Sequence, residues 1–320
     1  MRVTAETVAS QFHELRHDQE DLFTSFRKSA LSFQRTHNSV YQQFSGYTYL
    51  PVEAFKRAEV CTFEPSEAEM VFESSRTGNS IPSQHFVKDL DIYRRSVLHG
   101  FTRVFGEEPL ILVGHFPKYA PKSSLVYMMH HLIDTVGSSG SGFFLEDETL
   151  LRDAIKSSCK SGARLILFGA AFGLLDLLDK TEITLPPNAI VIETGGMKTH
   201  RKEIQRDEMH ERLSSGFGIA RKSIRSEYGM CELMSQFYTK QDGLFYAPPW
   251  AEFKILDPED PLRELPPTQE GALAIFDLAN IFSVSAILTE DRASRHGDGF
   301  KVHGRLSGAE IRGCNFLLEQ

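Results

Sequence analysis

The middle of this 320-residue chain alternates short apolar runs with segments of helical periodicity. The apolar runs cover residues 110–113, 143–145, 164–168 and 189–193, and the helical segments cover residues 123–136, 147–157 and 171–180. Such alternation is typical of βαβ units, which form a mostly parallel sheet with helices on both faces. In α/β folds of this kind, ligands bind at the carboxyl ends of the strands. We therefore expect the functional site where the apolar runs end.

The sequence on either side of this α/β region follows other patterns. Apolar residues from Val8 to Phe33 recur near helical spacing, which predicts a long amphipathic helix in one or two pieces, followed by an aromatic stretch around residues 41–49. Strand-like runs separated by Pro-rich or charged turns follow, and they predict a small antiparallel β unit at residues 253–256, 272–276, 283–288 and 299–302.

These patterns predict an N-terminal helical and aromatic segment over residues 1–68, the α/β region over residues 69–240, and the β unit with a C-terminal tail over residues 241–320. We expect the three segments to form one continuous large domain.

Composition and charge exclude several classes of function. A chain that is 41% hydrophobic and 24% charged is typical of a globular protein. Its formal net charge of −8 opposes nonspecific attraction to a phosphate polymer, so we expect no nucleic-acid partner. The longest apolar runs are far shorter than the ~20 residues of a membrane span, and the first residues carry no apolar signal segment. We therefore expect a cytoplasmic protein with no membrane partner.

The four cysteines form no C-x-x-C pair, so the sequence predicts neither a disulfide framework nor a thiolate metal site; they are Cys61, Cys159, Cys231 and Cys314. The chain also lacks the G-x-S-x-G motif of serine hydrolases. The Gly-rich loop at residues 137–142 has no P-loop lysine, which indicates a flexible loop.

The first stretch that can carry chemistry is hydroxyl-rich and spans residues 74–80. Hydroxyls and mobile backbone N–H groups can surround a triphosphate, because each donor offsets the charge of one oxygen. The alternative interpretation is a solvated loop with capping serines.

The second stretch is a buried strand that ends in Glu193 and Thr194 and breaks at Gly195 and Gly196. Paired glycines after a parallel strand let a flat group approach the backbone. A plain tight turn is the alternative.

The third stretch delivers Tyr228 and Gly229 at the end of a strand, with Glu232 at the predicted start of a helix. An aromatic ring that stacks on a base and a carboxylate that holds Mg²⁺ suit a nucleotide site. A capped helix start with a core tyrosine is the alternative. The fourth stretch offers Asp291 to ribose hydroxyls and Arg305 to a phosphate, unless both belong to a charged turn of the β unit.

In this order, the four stretches resemble the signatures of the adenylate-forming superfamily of acyl- and aryl-CoA synthetases. More closely, the segments ETGGMK, SEYGMCELMSQ and GRLSGAEIRGCN resemble LuxE-type acyl-protein synthetases, the fatty-acid-activating component of bacterial bioluminescence reductases. The resemblance covers about residues 70–318. It implies the large domain of an adenylate-forming enzyme without the mobile C-terminal lid of the superfamily.

The resemblance implies that ATP and a carboxylic acid, a fatty acid in this family, form an acyl-adenylate. It assigns the triphosphate to Ser74, Ser75, Thr77 and Gly78, and the adenine to Glu193, Gly195, Gly196, Tyr228 and Gly229. It assigns Mg²⁺ to Glu232, the ribose to Asp291, and the α-phosphate or ribose to Arg305.

The resemblance also implies that the acyl group moves to a thiol, for which Cys314 is the candidate within the chain. CoA, an acyl carrier protein or an acyl reductase subunit are the alternative acceptors or partners, and Cys314 is then a small structural residue. Two positions depart from the family pattern: Arg76 replaces a glycine of the triphosphate loop, and Cys231 replaces a threonine, which is a smaller loss of one hydroxyl contact. The altered loop around Arg76 motivates a second interpretation. On that interpretation the chain is a catalytically weakened scaffold subunit that binds an acyl group or nucleotide.

Overall fold

The alternating pattern of the sequence corresponds to a sheet with flanking helices. The computed structural model describes residues 3–75, 81–145, 147–195 and 205–306. Its α-helices are α1 (Ala5–Gln11), α2 (Glu20–His37), α3 (Ser39–Gln43), α4 (Ala54–Arg57), α5 (Leu90–Phe105), α6 (Ser124–Val136), α7 (Glu148–Ser161), α8 (Ala171–Lys180) and α9 (Arg206–Phe217). Within these described ranges, no helix combines the length and the apolar character needed to cross a membrane.

The strands fall into one large sheet and one hairpin. They are β1 (Leu50–Pro51), β2 (Met70–Glu73), β3 (Gln84–Val87), β4 (Leu110–His115), β5 (Gly142–Phe143), β6 (Arg164–Ala170), β7 (Ile190–Thr194), β8 (Ile224–Tyr228), β9 (Phe237–Thr239), β10 (Phe245–Tyr246), β11 (Ala251–Leu256), β12 (Glu270–Asp277), β13 (Ala286–His296) and β14 (Gly299–Arg305). The large sheet runs in the order β11-β12-β13-β14-β10-β9-β8-β7-β6-β4-β5, and β2 and β3 form the hairpin.

Strands β4 to β8 pair in parallel and carry helices on both faces, as the sequence predicts. Ile111 and Val113 of β4 pack in one apolar cluster with residues of α7, α8 and α9. Leu110 and Leu112 pack in the other cluster, with residues of α5 and α6. Because successive side chains of a strand point to opposite faces, this alternation buries both sides of the sheet.

The predicted antiparallel strands are present, and they extend the same sheet. β9 pairs antiparallel with β8, β10 joins β9 to β14, and β11 to β14 are antiparallel to one another. The apolar cluster under α5 and α6 continues across these strands to Ile275, Phe300 and, in α2, Phe26. The parallel and antiparallel parts therefore share one core.

The N-terminal amphipathic stretch forms two helices, α1 and α2, joined by a 3₁₀ turn at Phe12–Glu14 and a short loop. In α2 the buried Gln34 amide donates hydrogen bonds to the carbonyls of Asn280 and Ile281 at 3.0 and 2.9 Å. Gln34 Oε1 accepts from the Ser285 N–H at 3.0 Å. The N-terminal segment is thus bound to the connection that leads into β13.

Candidate functional site

Strands β7 and β8 end side by side at the carboxyl edge of the parallel strands. They pair with Glu193 opposite Ser226 and Thr194 opposite Glu227. Gly195 follows β7 with a φ of 84°, in the left-handed region that favours glycine. No described atom lies within 4 Å of the position that a Cβ on Gly195 would take. The described residues therefore leave space beside the backbone of this turn for a flat group.

Tyr228, the last residue of β8, contacts the predicted ribose ligand Asp291. The Tyr228 hydroxyl donates a hydrogen bond to Asp291 Oδ2 at 2.8 Å. Burial, and then the Asp291 charge, raise the pKa of Tyr228, so its hydroxyl stays protonated and remains a donor. Arg305 lies opposite Asp291 in the β13–β14 register, with Nε 3.9 Å from Asp291 Oδ1 and Nη1 2.8 Å from Glu290 Oε2. The structure thus brings together three side chains that the sequence assigns to one nucleotide.

Glu232 lies in a turn, so the predicted helix start at this position is wrong. The chain reverses after β8, and β9 returns antiparallel with Phe237 opposite Tyr228, which leaves only a short loop between the strands. The buried Asn280 side chain holds this loop, because its Nδ2 donates to the Glu232 carbonyl at 2.7 Å. Asn280 Oδ1 also accepts from the Met234 N–H at 2.8 Å. The Glu232 position is therefore fixed by its backbone.

The β2–β3 hairpin carries the start of the hydroxyl-rich stretch to this loop. Ser74 closes the hairpin, since its N–H donates to the Ser83 carbonyl at 3.1 Å and its Oγ accepts from the Ser83 N–H at 2.9 Å. The buried His85 donates from Nδ1 to the Cys231 carbonyl at 2.7 Å. Burial lowers the pKa of His85 to about 4 and raises the pKa of the Cys231 thiol. Because Cys231 precedes Glu232, the hairpin and the Glu232 loop are in direct contact.

Five other predicted site residues lie at or beyond the limits of the described ranges. Ser75 is exposed at the end of the hairpin strand. The remaining ones lie outside the described residues: Thr77, Gly78, Gly196 and Cys314, together with Arg76.

Sequence reasoning missed a buried network on the α9 side of the sheet. Glu193 accepts hydrogen bonds from the Ser226 hydroxyl and from His210 Nε2, the latter at 3.1 Å. Arg206 Nε lies 3.6 Å from Glu193 Oε1. Arg221 Nη1 lies 2.8 Å from His210 Nδ1, and because a guanidinium only donates, Nδ1 is the acceptor and Nε2 carries the proton. The network holds Glu193 at the end of β7.

This network differs from a hydrolytic Ser-His-Glu triad. Ser226 and Glu193 both contact the same ring nitrogen of His210, whereas a triad uses one nitrogen for each. Ser226 is also only 1% exposed. A motif search does not find His210, because it lies on α9 and meets Glu193 only in the folded chain.

A second buried carboxylate lies beside Glu193. Glu227, 7% exposed, accepts a hydrogen bond at Oε2 from the Thr194 hydroxyl. Burial, and to a lesser extent the Glu193 charge, raise the pKa of Glu227 to about 7. The carboxyl edge of the sheet therefore contains a side chain that titrates near neutral pH.

The described residues fit Mg²⁺ only as a partner of bound phosphates. They contain no group of three or more His, Cys, Asp or Glu side chains that would hold a metal ion. Nucleotide sites commonly bind Mg²⁺ through one or two carboxylates plus phosphate oxygens. Glu232, held in its loop beside the hairpin, suits that arrangement as a carboxylate ligand.

The fold is similar to that of solved acyl-CoA ligases. The ATP-bound structure of MatB from Rhodopseudomonas palustris aligns with a TM-score of 0.56 and 17% identity, over 76% of this chain and 49% of that one. 2-Hydroxyisobutyryl-CoA ligase with 2-HIB-AMP in the postadenylation state aligns with a TM-score of 0.66 and 10% identity, over 90% of this chain and 68% of that one. The same ligase with 2-HIB-AMP and CoA in the thioesterification state gives a TM-score of 0.63 and 10% identity, over 91% and 69%.

These low identities show a shared fold, and this chain spans about half the length (49%) of the MatB structure. No curated protein sequence gives a significant match. The sequence profile described as "Acyl-protein synthetase, LuxE" matches residues 24–320, which is nearly the whole chain. This chain therefore belongs to the LuxE acyl-protein synthetase family.

Proposed function

We propose that this protein activates a carboxylic acid, with a fatty acid as the leading candidate, by reaction with ATP and passes the acyl group to a thiol. In the first step a carboxylate oxygen attacks the α-phosphorus of ATP, and pyrophosphate leaves as acyl-AMP forms. In the second step a thiolate attacks the acyl carbon, a thioester forms, and AMP leaves. Membership in the LuxE family supports this reaction class.

The observation that carries the proposal is the hydrogen bond of 2.8 Å between Tyr228 and Asp291. It joins a residue predicted to contact adenine to one predicted to bind ribose, at the edge where β7 ends. Adenosine is a small molecule, so the residues that bind its base and its ribose must lie close together. Arg305 beside Asp291 adds a cation where the α-phosphate would follow the ribose.

The remaining nucleotide contacts follow from the same placement. The turn after β7 and the Tyr228-Gly229 backbone would accommodate the adenine, with Glu193 and the two glycines Gly195 and Gly196. The hydroxyl-rich stretch would contact the triphosphate through Ser74, Ser75, Thr77 and Gly78. Ser74 Oγ already accepts from Ser83 and still has its own proton to donate to a phosphate oxygen.

Glu232 would hold Mg²⁺ against the phosphates. When bound, the ion neutralises charge that develops on the phosphate oxygens. The chain's own contribution is positional, since Asn280 and the β2–β3 hairpin fix the loop that presents the carboxylate.

The final acceptor is a thiol. Cys314 is the intramolecular candidate, and CoA or a carrier-protein thiol, with an acyl reductase subunit as partner, are the alternatives. A thioester keeps the acyl group activated, and a cysteine is a strong nucleophile once it is partly ionised.

The test is ATP–pyrophosphate exchange over a panel of fatty and aryl acids. Glu232→Gln should lower exchange at least about 100-fold, because a metal ligand contributes several kcal/mol to the transition state. Glu264→Gln is the matched control, since Glu264 pairs with Lys254 and Arg295 away from the candidate site. If no acid supports exchange but the protein still binds ATP, the result would instead indicate a scaffold subunit.

A further inference from the structure

Only one of the two carboxyl oxygens of Glu227 has a hydrogen-bond partner among the described residues. Oε2 accepts the hydrogen bond from the Thr194 hydroxyl. Among the described residues, no hydrogen bond reaches Oε1, although the residue is 93% buried (7% exposed). Oε1 itself is not sealed from solvent, so this oxygen can meet a ligand at the ligand-binding edge of the sheet.

Gly229 leaves room for this oxygen. A Cβ on Gly229 would lie 2.4 Å from Glu227 Oε1, far inside contact distance. Any other residue at position 229 would therefore displace the carboxyl group or the backbone. The glycine of the Tyr-Gly pair thus has a second role here: it leaves Glu227 beside the backbone of the site.

The surroundings of Glu227 suit an organic acid better than a phosphate. The Glu227 charge contributes to the raised pKa values of the buried Tyr93 in α5 and Tyr238 in β9, which places both rings near it. Tyr93 packs with Phe72 and Tyr127 at centroid distances of 5.2 and 5.9 Å. The environment is therefore aromatic, with Thr194 as the polar contact.

The charge facing Glu227 comes from Glu193 on β7; the groups facing it from α5 and β9 are the neutral Tyr93 and Tyr238. Among the residues that the structure describes, no cation lowers the pKa of Glu227. An anion that approaches this carboxyl group therefore meets repulsion when Glu227 is ionised and a hydrogen-bond donor when it is protonated.

We propose that protonated Glu227 binds the carboxylate of the acid substrate by donating a hydrogen bond from Oε1. The inference rests on the proposed function, because it names a residue that recognises the acid in that reaction. Binding of the acid should weaken as the pH rises through about 7, where Glu227 ionises. The acid itself is ionised throughout that range and adds no pH dependence of its own.

The experiment measures the KM for the acid between pH 6 and 9 in the exchange assay. We expect the wild-type KM to rise about tenfold between pH 7.5 and 8.5, with a smaller effect on kcat. Glu227→Gln keeps a neutral donor and should flatten the profile to within about twofold. Glu252→Gln is the matched control: burial also raises the pKa of Glu252, but this residue lies on β11, the far edge strand of the sheet. Its profile should follow the wild type.

Calorimetric titration with decanoate and benzoate at pH 6.5 and 8.5 separates this inference from the proposed function. If exchange occurs but Glu227→Gln keeps the wild-type pH profile, the role of Glu227 is wrong and the proposed function stands. If no acid supports exchange but the wild type, unlike Glu227→Gln, binds a carboxylate more weakly at pH 8.5, the role of Glu227 stands and the reaction is wrong. Equal binding by both proteins at both pH values, or no binding, overturns the inference.

Discussion

The Tyr228 hydroxyl donates to the Asp291 carboxylate at 2.8 Å although three strands, β9, β10 and β14, separate their strands in the sheet order. Neighbouring strands are spaced by about 4.8 Å, so four steps across a flat sheet would place the two residues about 19 Å apart. The contact therefore requires the sheet to curl. β9 and β10 have three and two residues, and such short strands constrain the sheet little at this position. The curl brings the end of β8 to β13.

Tyr228→Phe tests this contact. The variant leaves a partly buried carboxylate without its tyrosine donor, a loss of about 1 to 3 kcal/mol, and it should raise the KM for ATP by about 5- to 150-fold. Tyr246→Phe is the matched control, because it removes an exposed tyrosine–aspartate hydrogen bond of 2.6 Å on β10. Initial exchange rates at varied ATP measure both variants. An equal KM for ATP in both would show that the hydrogen bond from Tyr228 to Asp291 does not contribute to nucleotide binding.

Asn280→Ala tests how the Glu232 loop is held. The substitution leaves the Glu232 carbonyl without its donor and removes one of two acceptors of the Met234 N–H, the other being Asp277. We expect a loss of about 2 to 5 kcal/mol in the free energy of unfolding and weaker binding of the activating metal, measured with Mn²⁺ by electron paramagnetic resonance in the presence of ATP.

The control for that variant is Asn38→Ala. Asn38 is equally buried and donates to the Ser283 carbonyl at 3.1 Å, while its Oδ1 caps α3 through the Tyr41 N–H at 3.0 Å. It should lower stability comparably without changing the affinity for Mn²⁺. A metal affinity that falls equally in both variants would mean that Asn280 acts only through overall stability.

The sequence predicts the parallel part of the fold well, because buried strands and amphipathic helices carry strong periodic signals. Helix α8 has its predicted bounds, and β7 is displaced by one residue. The predicted helix after Tyr228 fails for a nonlocal reason: the chain must turn back so that Phe237 can pair with Tyr228. Local capping residues in the sequence do not indicate which strands will pair in the folded chain.

The candidate site was predictable only where a motif marks it. Tyr228, Asp291 and Arg305 lie in segments of the sequence that resemble family signatures, and the structure places the three side chains together. His210 and Arg206 belong to no motif, yet both reach Glu193 once α9 packs beside β8. Polar side chains on a helix resemble a solvated face until the folded chain shows what they contact.

Stability should depend on pH through Glu227. Its pKa rises from 4.5 to about 7 on folding, so the native state binds more protons than the unfolded state between these values. Stability from this group is therefore present at low pH and is lost as the pH rises through about 7. Urea unfolding at pH 5 and pH 8 should show Glu227→Gln gaining about 2 kcal/mol relative to the wild type at the higher pH. A difference that does not change with pH would mean that Glu227 is ionised in the native state at both values.

Cys314 should carry a covalent acyl group during turnover if the acceptor is intramolecular. Cys61 and Cys231 are buried with raised thiol pKa values, which disfavours the thiolate that attacks an adenylate. Cys159 is exposed, but it lies near the C-terminal end of α7, which leads into the amino end of β6, opposite the edge where the candidate site lies.

Incubation with ATP and a radiolabelled fatty acid should therefore give a hydroxylamine-sensitive label that Cys314→Ser removes and Cys159→Ser retains. If wild type forms the adenylate without becoming labelled, or if Cys314→Ser is labelled as strongly as wild type, the acceptor is a different thiol. In the unlabelled case, adding CoA or a carrier protein should restore transfer, because a diffusible thiol can reach the adenylate from solution.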